Sequence, residues 1–422
     1  MHFLIAKYSF KHPELFLHHW GKPFFTLISS PFAQFGFVGI ALFNTLCATL
    51  TGFIIYRICK QLQTANEWIA PLFALFTPIY YVVIISGLTE IFFGLILSAS
   101  VLLFVKKYYR IGSILISFLP FIRSEGYILL PLFAFILIYN KNWKKLFFLG
   151  TGFIIYSTVG YFYFHDLFWV ISQNPYNGAR DIYGSGSLFW FISKNEFLLG
   201  TPLVVLLGLG FFSYLTRSNN SSLEEKILIV CGFSIYFIAH SIFWWKGIFG
   251  SLGLIRVIAA VAPLSAIIAL RGFNLLISYC RNNLLKKIIT GLISWLVLFI
   301  PFKQHQFPRP LDNEGTVTKE TADWIKKAEL DDRRAFALGP YVSLFLDKDP
   351  FNSEEMMGLW RSGVENSRKG DIIIWDSHFA PLEGRVPLNI FIENSSSYKF
   401  LKKFRENGSG EKLFEIYVFE RL

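Results

Sequence analysis

Nine carboxylates serve the first 302 residues of this chain: Glu14, Glu67, Glu90, Glu125, Asp166, Asp181, Glu196, Glu224 and Glu225. The other twenty of its twenty-nine acids follow Phe302. Acids this sparse in a stretch rich in Phe, Leu and Ile mark a membrane domain, where a charge at the helix centre costs about 2.5–3.5 kcal/mol on insertion scales. Each acid that persists there needs a reason. A carboxylate in a partly dry site can deprotonate a hydroxyl, and a fixed cation can stabilise a departing phosphate. Glu90 follows Ser86-Gly87-Leu88-Thr89 at the start of an apolar stretch. It is either a helix N-terminal carboxylate favoured by the dipole or a group lining a cavity. Arg123 and Glu125 interrupt a long apolar run at Phe121-Ile122-Arg123-Ser124-Glu125-Gly126. Two residues apart, they would not face each other on a helix. Each therefore needs another partner, as a structural ion pair or in a cavity wall.

Further candidates lie between the apolar stretches. Residues 165–197 contain Tyr176, Asn177, Arg180, Asp181 and Gly184-Ser185-Gly186-Ser187. Aromatic and bidentate polar groups suit a sugar, and the same composition suits an ordinary interfacial loop. Lys246 and Arg256 flank the next loop, beside Trp244-Trp245. Arg256 is placed either to hold a lipid-linked phosphate or to snorkel toward head groups. His12, His18 and His19 with Glu14 match no zinc spacing, so no metal is expected. Asp376-Ser377-His378 has no nucleophile elbow or Gly-rich loop beside it and reads as a strand end capping a loop.

These residues need elements to position them. The chain is 53 % hydrophobic and 16 % charged, against about 25 % charged in soluble proteins. Windows able to cross about 30 Å of hydrocarbon fall at 36–58, 68–85, 87–105, 146–164, 198–216, 227–245, 254–277 and 286–302. The run 111–139 is too long for one helix with two charges at its middle and reads as a broken helical hairpin with Arg123 and Glu125 at its tip. It is the one broken segment visible in the sequence. The expected fold is mainly α: a polytopic α-helical membrane bundle of about 8 full spans plus this hairpin, with a small C-terminal α/β soluble domain.

Five basic clusters, at Arg57/Lys60, Lys106–Arg110, Lys141–Lys145, Arg217 and Arg281–Lys287, fall on one side if the hairpin returns to its own side. The positive-inside rule makes that side cytoplasmic. Residues 10–34, Ser86–Glu90, the hairpin tip, 165–197, 246–253 and everything after 303 are then outside, while Glu67, Glu224 and Glu225 become cytoplasmic loop residues. Met1 also falls outside, which leads us to expect an internal methionine with a first helix upstream. The net charge of +11 sits in these short clusters rather than in a stripe with base-stacking aromatics, so no nucleic acid partner is expected. The expected organisation is 1–35 as an outer loop region, 36–302 as the bundle and 303–422 as the outer domain. There, Thr318–Leu330 reads as a helix with Thr318 at its cap, and Arg334–Leu338, Asp371–Trp375 and Leu413–Phe419 read as strands.

With these elements in place the chain resembles the integral-membrane C-type (GT-C) glycosyltransferases, particularly bacterial relatives of the dolichyl-phosphate-mannose protein mannosyltransferases. The resemblance rests on His12-Pro13-Glu14, Gly21-Lys22-Pro23, Ser86 to Glu90, the Arg123-Ser124-Glu125-Gly126 element and Arg256 ahead of Val261-Ala262-Pro263. It implies transfer of a sugar from a polyprenyl-phosphate donor to a glycan, lipid or protein acceptor outside a bacterial inner membrane. No cofactor is implied. Glu90, Glu125 and Glu14 become catalytic candidates. Arg123, Tyr176, Asn177, Arg180, Asp181, Lys246 and Arg256 become substrate-binding candidates. The family's acid in the first outer loop has Glu14 as its single counterpart here, and the expected upstream extension would hold another. A transporter or flippase of lipid-linked sugars, or an inactive GT-C-like scaffold, are the alternatives.

Overall fold

The computed structural model describes residues 1–173, 175, 184–216, 221–307, 309–406 and 413–422. It divides into two compact units, His2–Gln306 and Phe307–Leu422.

The first unit is a helical bundle built for a bilayer. Gly36–Gln61, Trp143–Phe164, Glu225–Lys246, Ile255–Ser278 and Asn283–Gln304 are long and apolar enough to cross one. Two shorter apolar helices, Glu90–Val105 and Thr201–Thr216, have 16 residues each, about 24 Å at 1.5 Å per residue. Lipid-facing stripes are explicit. Leu42, Leu46, Leu50 and Phe53 are exposed along one face of Gly36–Gln61, as are Ile288, Leu292, Trp295, Phe299 and Phe302 along the last helix. Ile255–Ser278 is instead mostly buried and forms the centre of the bundle.

The hairpin breaks where expected. Tyr109–Phe121 and Gly126–Tyr139 flank a tight turn, in which Gly126 N–H donates to Arg123 O at 2.9 Å. A Cβ at Gly126 would lie 2.6 Å from the backbone of Leu119 and Pro120, so only glycine lets the two halves approach this closely. The reading of 68–85 as one continuous span is corrected: Glu67–Leu75 and Pro78–Ile84 meet at 67°. Pro78 has no N–H to donate and holds Thr77 in an extended conformation, which stops the first half. The segment before the first long helix folds as His2–Tyr8 and Pro23–Ala33.

The second unit is an α/β domain. Its strands are β1 (Ala335–Phe336), β2 (Met356–Met357), β3 (Ile372–Asp376), β4 (Tyr398–Arg405) and β5 (Glu415–Arg421), ordered β2-β1-β3-β5-β4. The first three are parallel, and β5 is antiparallel to both β3 and β4. Both faces of β3 are covered: Ile372 and Ile374 pack with Val317, Ala322 and Ile325, and Ile373 and Trp375 pack with Phe336, Leu359 and Phe391. That double burial explains its unbroken apolar run. The expected helix start at Thr318 is corrected to Asn313, because Asp312 caps it by accepting from Gly315 N–H at 2.7 Å. β4 escaped the sequence reading because Tyr-Lys-Phe-Leu-Lys-Lys-Phe-Arg, at a sheet edge, shows no clean alternation.

Candidate active site

Four separate segments bring charge to one place in the bundle. Glu90 opens the helix Glu90–Val105 and is almost fully buried. Buried Asn44, on the first long helix, fixes the preceding turn by donating to the carbonyls of Ser86 and Leu88, at 2.5 and 3.0 Å. The hairpin break supplies Arg123, whose guanidinium lies 2.8 Å from Glu90 Oε1 and 2.8 Å from Glu125 Oε1. Arg123 also donates to Thr89 Oγ1 at 3.2 Å. Arg256, in the tight turn Ile255–Val261 that enters the central helix, puts Nε 3.6 Å from Glu90 Oε1.

The fourth segment is the turn before Pro23. Lys22 has φ +64°, an uncommon conformation for a residue with a side chain and one that clusters at functional sites. Gly21 makes the turn possible, since a Cβ there would lie 2.5 Å from Ile5 Cγ2. Lys22 Nζ is turned inward and donates to Ser124 Oγ at 3.3 Å. Burial pushes this ammonium down to about 8; neighbouring Glu125 opposes the shift and Arg123 adds to it.

The i,i+2 argument about Arg123 and Glu125 is corrected. They pair directly at 2.8 Å because the backbone between them is a turn and not a helix. Of the expected site residues, Glu90, Glu125, Arg123 and Arg256 come together. Glu14 does not: it is exposed in the turn Pro13–Leu17 and lies 3.7 Å from His12 Nδ1. Lys246 ends its helix exposed, with Nζ 3.8 Å from the centroid of Trp245, as an interface anchor would be. Tyr176, Asn177, Arg180 and Asp181 lie outside the described residues. Asp376 Oδ1 accepts from the His378 and Phe379 backbone N–H groups, which is the capping role read from the sequence.

The sequence reading passed over three partners. Lys22 entered only as part of a motif. His240 and Tyr236, buried on Glu225–Lys246, flank the pair: His240 Nε2 is 3.7 Å from Glu125 Oε1. The signal for His240 was an ionisable side chain inside an apolar stretch. Glu225 is also corrected, from loop residue to fully buried partner of Arg271, and Arg271 within an apolar span was the signal for it.

Three cations thus face two carboxylates in a partly buried site, closed around Glu90 and open to solvent at Arg256. The excess positive charge is what an anion needs, and the carboxylates are what a hydroxyl proton needs. Among the described residues no group of three or more His, Cys, Asp or Glu could hold a metal ion.

No protein-family model matches the chain, and no curated protein sequence does. Solved structures match along its whole length. ArnT from Cupriavidus metallidurans in the apo state superposes with a TM-score of 0.60 at 11 % identity, covering 100 % of this chain and 92 % of that one. ArnT bound to undecaprenyl phosphate gives 0.58 at 10 % identity, over 99 % and 92 %. The Archaeoglobus fulgidus oligosaccharyltransferase, tethered to an acceptor peptide containing the NVT sequon, gives 0.53 at 11 % identity, over 100 % and 69 %. This chain has the GT-C fold. The likeness covers both units, the multi-pass bundle and the small α/β domain. At such low identity the likeness shows the fold alone, so the chemistry must be argued from the residues above.

Proposed function

We propose that the protein is a membrane glycosyltransferase that moves a sugar from a polyprenyl-phosphate donor to a glycan, lipid or protein acceptor on the extracytoplasmic face. The observation that carries this reading is the charge balance of the site: Lys22, Arg123 and Arg256 against Glu90 and Glu125. The fold shared with a structure holding undecaprenyl phosphate supports it.

In this scheme Arg256, the most exposed of the three cations at 44 %, meets the incoming phosphate with Lys22. Arg123 is occupied by the carboxylates and orders them. Glu125, whose side chain is 20 % exposed, takes the acceptor hydroxyl proton, with Glu90 as the second candidate. The acceptor oxygen then bonds to the anomeric carbon as the carbon–oxygen bond to phosphate breaks. The electron pair leaves on the lipid phosphate, where the cations stabilise it. No metal or nucleotide enters the scheme. Transport is less well supported: paired breaks in both halves would mark a transporter, whereas among the described residues the one bent pair, Glu67–Leu75 with Pro78–Ile84, and the hairpin break at Arg123–Gly126 both fall in the N-terminal half.

The test is sugar transfer by protein in nanodiscs from a labelled polyprenyl-phosphate sugar. Glu90→Gln, Glu125→Gln and Arg256→Ala should each reduce transfer. Full transfer in all three variants overturns the site, and wild-type protein that binds the donor without transfer supports the scaffold alternative.

A further inference from the structure

Five buried polar atoms of this site accept or donate no aligned hydrogen bond: both Glu90 carboxylate oxygens, Arg123 Nε, Tyr236 hydroxyl and His240 Nε2; nor does Trp244 Nε1, one helical turn beyond His240 and packed beside Gly186 and Gly253. Of the ion-pair contacts of Glu90, the one with Arg123 is short, at 2.8 Å, but misaligned for hydrogen bonding, and the one with Arg256 is longer, at 3.6 Å. Tyr236 faces the Arg123 guanidinium and still has its own proton to donate. Buried polar groups are normally satisfied, so a contiguous set that is not calls for an explanation.

Tyr236, His240 and Trp244 are spaced i, i+4, i+8 on the helix ending at Lys246 and therefore share one face. Tyr236 and His240 are themselves more than nine-tenths buried, with ring centroids 4.6 Å apart. His240 reaches Glu125 at 3.7 Å, and Trp244 continues the face one turn further on.

The unmet needs specify a ligand class. Glu90 needs donors, whereas Arg123 Nε–H and Trp244 Nε1–H need acceptors. A phosphate supplies acceptors only, and an isoprenoid tail supplies neither. A polyol supplies both from each hydroxyl, and aromatic faces suit its C–H surfaces. Glu90 lies 3.6 Å from Arg256, the cation assigned to phosphate, and in the donor the sugar is one bond from that phosphate. We infer that Glu90, Arg123, Tyr236, His240 and Trp244 form the subsite that reads the hydroxyls of the donor sugar. This rests on the glycosyltransferase reading and adds to it a set of specificity-determining residues on one helix face.

The experiment compares the affinity of the full-length protein in nanodiscs for undecaprenyl phosphate with that for undecaprenyl-phosphate mannose, glucose and arabinose. Wild-type protein should bind at least one sugar-bearing lipid about tenfold more tightly than the bare lipid, and Tyr236→Phe, His240→Phe and Trp244→Phe should each shrink that gap by about three- to tenfold. Bare-lipid affinity should stay within about twofold, which also reports that each variant folds. His240→Gln, with a donor near the Nε2 position, should recover most of the gap lost in His240→Phe. A gap that survives in all three Phe variants, or a wild-type protein with no gap for any of the three sugars, overturns the subsite. Wild-type protein that does not bind undecaprenyl phosphate at all overturns the donor reading itself. A variant losing both lipids is judged by Tyr236→Phe, which removes one oxygen only; an unchanged gap there counts against the subsite.

Discussion

Among the described residues the bundle holds two ionic clusters, near opposite ends of the helix Glu225–Lys246, and they are built in contrasting ways. At its start, Glu225 accepts from Arg271 Nε at 2.8 Å and Nη2 at 2.7 Å, and from the Tyr214 hydroxyl at 2.6 Å. One carboxylate meets one guanidinium, and both oxygens are satisfied. Near its far end, Glu90 is equally buried, yet neither oxygen accepts an aligned hydrogen bond, and two carboxylates share three cations. Glu225 and His240 are fifteen positions apart, about 22 Å at 1.5 Å per residue, much of a bilayer's hydrocarbon thickness. The same residue types in the same lipid therefore serve different ends. A closed, neutral pair welds helices, while an open set with surplus charge is prepared for something else to complete it.

That contrast can be broken by substitution. Glu225→Ala should destabilise the protein by about 3–5 kcal/mol, since it takes the carboxylate away from the partly buried Arg271 guanidinium; Glu90→Gln should cost far less stability. Denaturation in detergent compares them, and equal losses would erase the distinction. Arg256→Ala should leave the melting temperature near wild type and lower sugar transfer by about 10²–10³-fold, the range for losing one transition-state donor. Initial rates at saturating acceptor check this.

Two smaller effects sharpen each side. The Lys22 ammonium, held down to about 8 by burial, is a cation below that pH and neutral above it. Affinity for undecaprenyl phosphate should therefore fall by up to about tenfold as pH rises from 7 to 9, whereas Lys22→Arg should flatten the profile because guanidinium stays charged. Titrations at fixed ionic strength would show it. Tyr214→Phe, which removes one of three bonds to Glu225, should cost about 1 kcal/mol and leave transfer intact. Least of all, Glu14→Gln should keep transfer within about twofold in the same assay, because Glu14 is exposed and paired only loosely with His12.

Much of the site was legible at the level of single residues. Glu90, Arg123, Glu125 and Arg256 stand out because charge in an apolar segment is costly enough to be rare. Their partnerships were not legible. Arg123 meets Glu125 only because Gly126 folds the hairpin into a tight turn. Lys22 joins from a hundred residues away because the backbone before Pro23 turns it inward. Glu225 looked like a loop residue beside Glu224 until the fold set Arg271 against it. In the C-terminal unit, β3 announced itself by a continuous apolar run, whereas the edge strand β4 did not.

By itself, then, the sequence determined that this is a multi-pass membrane protein with a small α/β domain, and which few charges must have a reason to be there. Hydropathy settles those points locally, because each apolar segment must satisfy its own backbone in lipid whatever its neighbours do. Only the tertiary structure decided which of those charges are welded shut and which are left open. Pairing depends on contacts between segments tens to hundreds of residues apart, and no local pattern encodes that distance.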